Sequence, residues 1–289
     1  MREYLSNFSA AAFWNIPYVE AIFGSVIAET GSTDLTFEKR SAISYKKGQV
    51  VHLCGYNLPL GAVVSRSGKI VASPELVFLD LASKLNIQRL ILLGLQLCSH
   101  PPGNPSEAIT TKKKLNSFIR KTPGYYGHRK ASRAVEFIKD GSASVMESIT
   151  YMILTLPHTL GGYGLDGAVF NYEIKLADEA SKRLGRKRCF TDLYYRSARL
   201  AIEYESFAFH NSPSEQGKDS VRSATLERQG VEVMHVNTIQ LYDKDACKDF
   251  AINLASRLGK RIQIRARKFS KMHESLRELL PAVKPGDET

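Results

Sequence analysis

Two short apolar segments in the second half of this 289-residue chain constrain its fold more than any other feature. Residues 189–195 and 199–205 both have strand character. A symmetric turn centred between Ser197 and Ala198 would pair them as an antiparallel hairpin. Because Ser-Ala suits a two-residue turn poorly, we expect a longer turn over residues 196–199 that keeps the same register. One face of the hairpin would then carry Leu193, Tyr195, Leu200, Ile202 and Tyr204.

The other face of the predicted hairpin carries acidic side chains. The register places Asp192 opposite Glu203, and Glu205 follows on the same face. Like charges that face each other across a ladder repel, and a cation held between them removes the penalty. We therefore expect Asp192 and Glu203 to bind Mg²⁺ or Mn²⁺, with water and substrate phosphate completing the coordination. The alternative is a solvated polar face whose carboxylates pair with Arg196 or Arg199.

Two further residues are candidates for chemistry at such a site. Phosphodiester hydrolysis is the reaction that a Mg²⁺ site of this kind suits, and it needs proton transfer. His210 follows Glu205 by five residues, and histidine as a residue type titrates near neutrality. Glu147 follows Ser144 by three residues, which is also the spacing of a helix-capping box. The alternatives are a loop histidine and a purely structural capping glutamate.

The composition favours some classes of protein and argues against others. A net charge of +11 and a pI near 9.4 favour a polyanionic partner such as nucleic acid, although many basic proteins bind none. Four widely spaced cysteines form no Cys-x-x-Cys pair, which argues against a zinc ribbon and a disulfide scaffold. The N-terminus has no apolar signal core, and the most hydrophobic stretch, residues 90–98, is too short to span a bilayer. We predict a cytoplasmic protein without a membrane partner.

The chain is long enough for two domains, and turn-forming residues mark a junction. Residues 101–103 are Pro-Pro-Gly, and a basic helix-like stretch then runs from Lys112 towards Pro123. We predict a smaller α+β domain over residues 1–125, an α/β domain over residues 126–265, and a basic C-terminal helix and tail over residues 266–289.

Local signals predict the elements of both domains. Ser73 followed by Pro74 indicates a helix start in the first domain. In the second, the order is a helix after Ser144, a strand over 169–175, the hairpin, a helix from Ser212 to about Gln229, a strand over 231–236 and a helix over 246–258.

Basic side chains form the third set of candidates. Between residues 260 and 271 cations accumulate without an acidic residue, and we expect them to contact a phosphate backbone. The alternative is a solvated helix face. Arg222 lies three residues after Asp219, which is also the spacing of a surface ion pair. The nucleic-acid-binding candidates are Arg222, Lys260, Arg261, Arg265, Arg267 and Lys268.

The order of these residues resembles a known nuclease family. About residues 130 to 260 are similar to the very-short-patch-repair-like (Vsr-like) endonucleases of the PD-(D/E)XK superfamily. The helix that contains Ser144 and Glu147 is similar to the leading helix of that family. The other matching residues are Asp192, Glu203-Tyr-Glu205, His210 and Asp219-x-x-Arg222-x-x-x-Leu226-x-x-x-Gly230-Val-x-Val.

This resemblance implies a restriction-endonuclease-like fold, in which helices flank a central mixed sheet with the acids at one end. It makes Asp192 and Glu203 metal ligands, Glu147 a supporting acid and His210 an acid or base. Glu205 occupies the position at which the superfamily motif has a lysine. Residues 8–17 and 71–82 in turn resemble the scaffold of type IV abortive-infection antitoxins, which implies a toxin or another protein as a partner.

We therefore predict a Mg²⁺-dependent DNA endonuclease or nickase. Two alternatives stay open from the sequence. The first is a catalytically inactive nuclease-fold protein that binds nucleic acid or acts as an antitoxin-like regulator. The second is a partner-binding scaffold without a role in nucleic-acid binding.

Overall fold

The computed structural model describes residues 3–24, 32–43, 46–205 and 213–282, with no side-chain detail for residues 183 and 213–220. The chain forms two compact units. Unit 1 comprises Met1–Ser99 and Ser106–Asp140, and unit 2 comprises His100–Pro105 and Gly141–Thr289. Each unit has its own mixed sheet flanked by helices, which confirms the predicted α/β class. No helix in the described ranges is long and apolar enough to cross a membrane.

Unit 1 is built on a five-stranded sheet in the order β3-β2-β1-β5-β4. Strand β1 pairs antiparallel with β2 and parallel with β5, and Ser67 and Gly68 turn the chain between β4 and β5 with positive φ angles. The strands are β1 (Glu3–Leu5), β2 (Thr33–Phe37), β3 (Gln49–Leu53), β4 (Val63–Arg66) and β5 (Lys69–Ala72). The helices are α1 (Asn7–Phe13), α2 (Val19–Phe23), α3 (Pro74–Ala82), α4 (Ile87–Leu97), α5 (Lys112–Arg120) and α6 (His128–Phe137).

Helices α3 and α4 are almost entirely buried and form the core of unit 1. Helix α3 begins as predicted, because the Ser73 hydroxyl accepts the Leu76 N–H at 3.2 Å and Pro74 occupies the first turn. Helices α4 and α5 both pack against α6. Unit 1 therefore extends to Asp140, whereas the sequence placed the boundary near residue 125. The reason is that the apolar faces of α5 and α6 are buried within this unit.

Unit 2 contains a four-stranded sheet in the order β6-β7-β8-β9. Strands β6, β7 and β8 form an antiparallel meander, and β9 pairs parallel to β8 after a helical crossover. The strands are β6 (Ala168–Lys175), β7 (Arg188–Tyr195), β8 (Leu200–Glu205) and β9 (Glu232–Asn237). The helices are α7 (Val145–Thr155), α8 (Asp178–Leu184), α9 (Pro213–Arg228), α10 (Thr238–Tyr242), α11 (Lys244–Arg257) and α12 (Phe269–Arg277).

Helices cover both faces of this sheet. Tyr194 and Ala201 lie in one buried cluster with Leu226 of α9. Helix α7 packs against β6 and β7, where the rings of Tyr151 and Phe170 are 4.8 Å apart. Both faces are buried because the parallel pairing of β8 with β9 requires a crossover helix. The acidic end of the hairpin therefore lies within a three-layer structure.

The C-terminal helix is part of unit 2 and does not form a separate segment beginning at residue 266. His273 of α12 is buried, and its Nδ1 lies 2.7 Å from the Gly161 carbonyl oxygen. A side chain at Gly161 would collide with the backbone at Met272, so glycine is what permits this close approach. Residues 260–268 precede α12 and contain neither helix nor strand, so the predicted basic run is a connecting segment.

Candidate active site

The predicted hairpin forms with the expected register. The structure pairs Tyr195 with Leu200 and Leu193 with Ile202, and residues 196–199 form the turn. The ladder ends before Asp192 and Glu203 become a hydrogen-bonded pair. Instead, a carboxylate oxygen of Asp192 accepts the Tyr204 N–H at 2.8 Å. The Asp192 side chain therefore replaces a backbone acceptor where β7 and β8 separate.

The same position interrupts the pairing on the other side of β7. The pairs Phe170–Leu193 and Tyr172–Thr191 place Asn171 opposite Asp192, but these two residues are not paired in the ladder. Asn171 has a φ of 42°, in the left-handed region that few residues other than glycine adopt. Local strain of this kind is common at functional sites. Asn171 was not predicted from the sequence.

Asn171 connects the sheet to the acidic residue of helix α7. Its Nδ2 donates to Glu147 Oε2 at 2.9 Å and to the Gly141 carbonyl oxygen at 2.8 Å. The helix start has the predicted Ser144 cap, whose hydroxyl accepts the Glu147 N–H at 3.1 Å. The carboxylate of Glu147 accepts the N–H of Ala143 at 2.9 Å, one residue before the predicted capping-box donor. Glu147 is thus a capping residue and also a neighbour of the sheet acids.

Glu203 lies on β8, is 8% exposed and pairs with an arginine from α9. Nη2 of Arg222 is 2.9 Å from Glu203 Oε1 and also donates to the Phe190 carbonyl oxygen. The alternative partners from the sequence make other contacts: Arg199 donates to the backbone of residues 229 and 230, and Arg196 lies over the Tyr172 ring. We predicted that Arg222 contacts nucleic acid. In the structure its guanidinium pairs with Glu203 and neutralises part of the acidic cluster.

Burial raises the pKa values of all three acids, and repulsion from neighbouring acids adds to the shifts of Glu147 and Glu203. Burial and the charge of Asp192 raise the pKa of Glu147 to about 7. Burial, with smaller effects of Asp192 and Glu147, raises the pKa of Glu203 to about 8 even though Arg222 opposes the shift. Burial also raises the pKa of Asp192, against the hydrogen bond from Tyr204 and the charges of Arg222 and His235. Three carboxyl groups from α7, β7 and β8 therefore influence one another electrostatically.

His235 is a site residue that the sequence reasoning missed. It pairs with Glu203 across the parallel ladder of β8 and β9. Its Nδ1 lies 2.6 Å from Glu205 Oε1, and its Nε2 lies 3.2 Å from the Ser223 hydroxyl oxygen. Glu205 thus contacts a histidine on the neighbouring strand. The candidate His210, the cap at Ser212 and the side chain of Asp219 lie outside the described residues.

The structure also tests whether these residues suit a divalent cation. In the part of the chain that is described, no three His, Cys, Asp or Glu side chains form a group that could hold a metal ion. Among the described residues, a nitrogen donor engages one carboxylate oxygen of Asp192 and one of Glu203. Mg²⁺ commonly takes one or two protein carboxylates and completes its shell with water and phosphate. Mg²⁺ binding by Asp192 and Glu203 therefore stays a prediction, which the described residues do not test further.

The basic candidates beyond Arg222 lie on the connecting segment between α11 and α12. Lys260 pairs with Asp166, with Nζ 2.6 Å from Oδ1, and Arg265 donates to Gln263 at 2.9 Å. The side chains of Arg261, Arg265, Arg267 and Lys268 are exposed. An exposed connecting segment can present these cations to a polyanion without unfolding.

Comparison with models of protein families, with curated proteins and with solved structures gave no match. The resemblance to Vsr-like endonucleases and to abortive-infection antitoxins therefore stays a prediction from the order of residues. The geometry of unit 2 is the remaining basis for a functional assignment.

Proposed function

We propose that unit 2 is a Mg²⁺-dependent phosphodiesterase that cleaves or nicks DNA. The observation that carries the proposal is the group formed by Glu147, Asp192 and Glu203, which come from three elements and have raised pKa values. Placing buried acids together lowers stability, so folds rarely retain such a group without a role. A divalent cation would offset the cost and would be the ion that phosphodiester hydrolysis uses.

Each residue has a role that follows from its position. Asp192 and Glu203 would hold the ion through their second carboxylate oxygens, and Glu147, fixed by Asn171, would support them. When bound, Mg²⁺ supplies neutralisation of phosphate charge and activation of water. Arg222 contributes from α9 the positive charge that Glu205 cannot supply at the lysine position of the motif. His235 would transfer a proton, with Nδ1 held by Glu205 and Nε2 exchanging its contact with the Ser223 hydroxyl for one with the substrate or its water.

The proposed substrate class rests on the net charge of the chain and on one exposed basic segment of unit 2. The net charge of +11 and the exposed segment 260–268 favour a polyanion with a repeating phosphate backbone. Cys54, Cys98, Cys189 and Cys247 are free thiols, which suits the reducing cytoplasm where such a substrate occurs.

The direct test is plasmid nicking in the presence of Mg²⁺ or Mn²⁺. We expect wild-type protein to nick supercoiled plasmid, and Asp192→Asn and Glu203→Gln to lose at least about a hundredfold in rate, because a lost metal ligand removes transition-state stabilisation. Glu173→Gln is the matched control, since Glu173 is an exposed acid on β6 of the same sheet. Equal rates for wild type and Asp192→Asn would show that any cleavage arises elsewhere.

One observation favours a second function, that of an inactive nucleic-acid-binding regulator. The ion pair between Arg222 and Glu203 already supplies one cation to the acidic cluster. A nuclease fold that had lost its metal could retain this pair as a structural bond. In that case wild type and Asp192→Asn would bind duplex DNA equally, with affinity that falls steeply with salt, and neither would cleave it.

A further inference from the structure

Unit 1 contains an open cavity for which neither the acidic cluster nor the basic segment accounts. The cavity has a volume of about 550 Å³, and a second one of about 280 Å³ adjoins it. Both are lined by Tyr56, Ser83, Tyr125 and Tyr126, so they are continuous along one wall. The larger volume falls within the range of roughly 300–1,000 Å³ that small-molecule sites occupy.

Tyrosine rings form the wall that the two cavities share. Tyr56 and Tyr125 stack with their ring centroids 4.3 Å apart and their planes 15° from parallel. The Tyr126 N–H donates to the Tyr56 hydroxyl at 3.1 Å, and Tyr125 donates through its hydroxyl to the Asn57 carbonyl oxygen. The Tyr126 side chain is nevertheless 76% exposed. The loop thus has a fixed backbone and presents an aromatic ring to solvent beside an existing stack.

Two cations line the larger cavity, and the smaller one is lined by one cation, Lys84, and one acid, Asp80. Residues 108–135 contain eight lysines and arginines and no acidic residue. Arg129 and Lys130 line the larger cavity from the first turn of α6, where Lys130 donates to the Leu85 carbonyl oxygen at 2.7 Å and Arg129 is exposed. Cations at the start of a helix oppose its dipole, and no acidic side chain in that turn offsets them. A bound anion would relieve this repulsion.

We propose that this cavity binds a nucleotide unit, with its base against the tyrosine rings and its phosphate beside Arg129. Stacked aromatic rings next to cations are the combination that recognises nucleobases and phosphates together. An inorganic anion would not use the exposed ring of Tyr126, and a neutral apolar ligand would not use the charge of Arg129. The site lies wholly within unit 1 and does not depend on the proposed nuclease activity.

The test measures binding of a fluorescein-labelled oligo(dT) by anisotropy, in EDTA so that no cleavage occurs. We expect Tyr126→Ala to weaken binding by about fivefold to a hundredfold, which is the loss typical of one stacked base. Arg129→Gln should weaken it to a similar degree. The matched controls are Leu60→Ala, which removes another fully exposed apolar side chain of unit 1, and Arg133→Gln, which removes an exposed cation one turn further along α6.

The outcomes separate the source of the ligand from the existence of the site. If millimolar AMP displaces the oligonucleotide, a free nucleotide is sufficient to occupy the site. If the oligonucleotide stays bound, the ligand is a nucleic-acid strand. Either result supports the site if both test variants bind more weakly than their controls. No binding by wild type, or test variants that bind as their controls do, would overturn the proposal, because the affinity would then be absent or diffusely electrostatic.

Discussion

Replacing Glu147 by glutamine should stabilise unit 2 at neutral and alkaline pH. The wild-type carboxylate is 7% exposed, and its pKa is raised from 4.5 to about 7 by burial and by Asp192. The hydrogen bonds from Ala143 and Asn171 reach the same oxygen, which the carbonyl oxygen of glutamine can replace. The substitution therefore removes the charge and keeps the contacts.

The size and pH dependence of this effect follow from proton linkage. Below pH 4.5 the carboxyl is protonated whether the chain is folded or unfolded, so it has no net effect. As the pH rises towards 7, the unfolded chain loses this proton before the folded one does, and the wild type loses stability. A shift from 4.5 to about 7 corresponds to about 3 kcal/mol at most, at about 1.4 kcal/mol per unit. Loss of the favourable interaction between the carboxylate and the helix dipole costs roughly 0.3–1 kcal/mol. The expected net increase in the free energy of unfolding is therefore about 2 kcal/mol.

Urea denaturation at several pH values between 5 and 8 measures this difference. Far-UV circular dichroism reports on both units, whereas the emission of Trp14, the single tryptophan, reports on unit 1, so a transition seen by circular dichroism and not by tryptophan emission belongs to unit 2. Glu179→Gln, at an exposed position of α8, is the control for loss of a surface charge. If the Glu147→Gln variant and the wild type kept a constant difference in stability from pH 5 to 8, the carboxyl groups would not be buried together and the argument would fail.

Two further predictions concern the same cluster. Mg²⁺ should raise the free energy of unfolding of the wild type, measured by urea denaturation, far more at pH 8 than at pH 5.5, because it binds ionised carboxylates. At ten times its dissociation constant the gain should be about 1.4 kcal/mol. Asp192→Asn should abolish the effect, and equal stabilisation of both proteins would refute the site. His235→Gln should slow nicking by about a hundredfold with little loss of DNA binding, and Glu205→Gln should slow nicking less. If His235→Gln nicked at the wild-type rate while Asp192→Asn was inactive, this histidine would be excluded from proton transfer.

The hairpin shows what local sequence can determine. The alternation of side chains from Leu193 to Ile202 has a period of two, and a slip by one residue would move every apolar side chain to the other face. The register was therefore predictable, and the structure confirms it. The end of the ladder was not, because it depends on the Asp192 side chain reaching the Tyr204 N–H. That bond competes with a backbone bond, and no pattern of residue types reveals which one forms.

The position of His235 shows what local sequence cannot determine. The strand that contains it was predicted from its apolar residues. Its partner strand was not, because parallel pairing depends on the path of the crossover helix α9. Only that pairing brings His235 beside Glu203 and Glu205. Similarly, residues 101–103 contain strong turn signals, yet the chain returns to unit 1 and stays in it to Asp140. The burial of the apolar residues of α5 and α6 in unit 1 outweighs these local turn signals.

The balance of charge in the cluster distinguishes a functional site from a structural ion pair. If Arg222 were a sufficient partner, it would hold the pKa of Glu203 below its ordinary value, as in a satisfied salt bridge. Instead the pKa of Glu203 is raised to about 8 and that of Glu147 to about 7, with Arg222 already at 2.9 Å from Glu203. Burial is the largest cause of both shifts, so the pair with Arg222 does not offset the desolvation of Glu203. Protons neutralise these acids up to about neutral pH, and the divalent cation of the proposed function would neutralise them at higher pH.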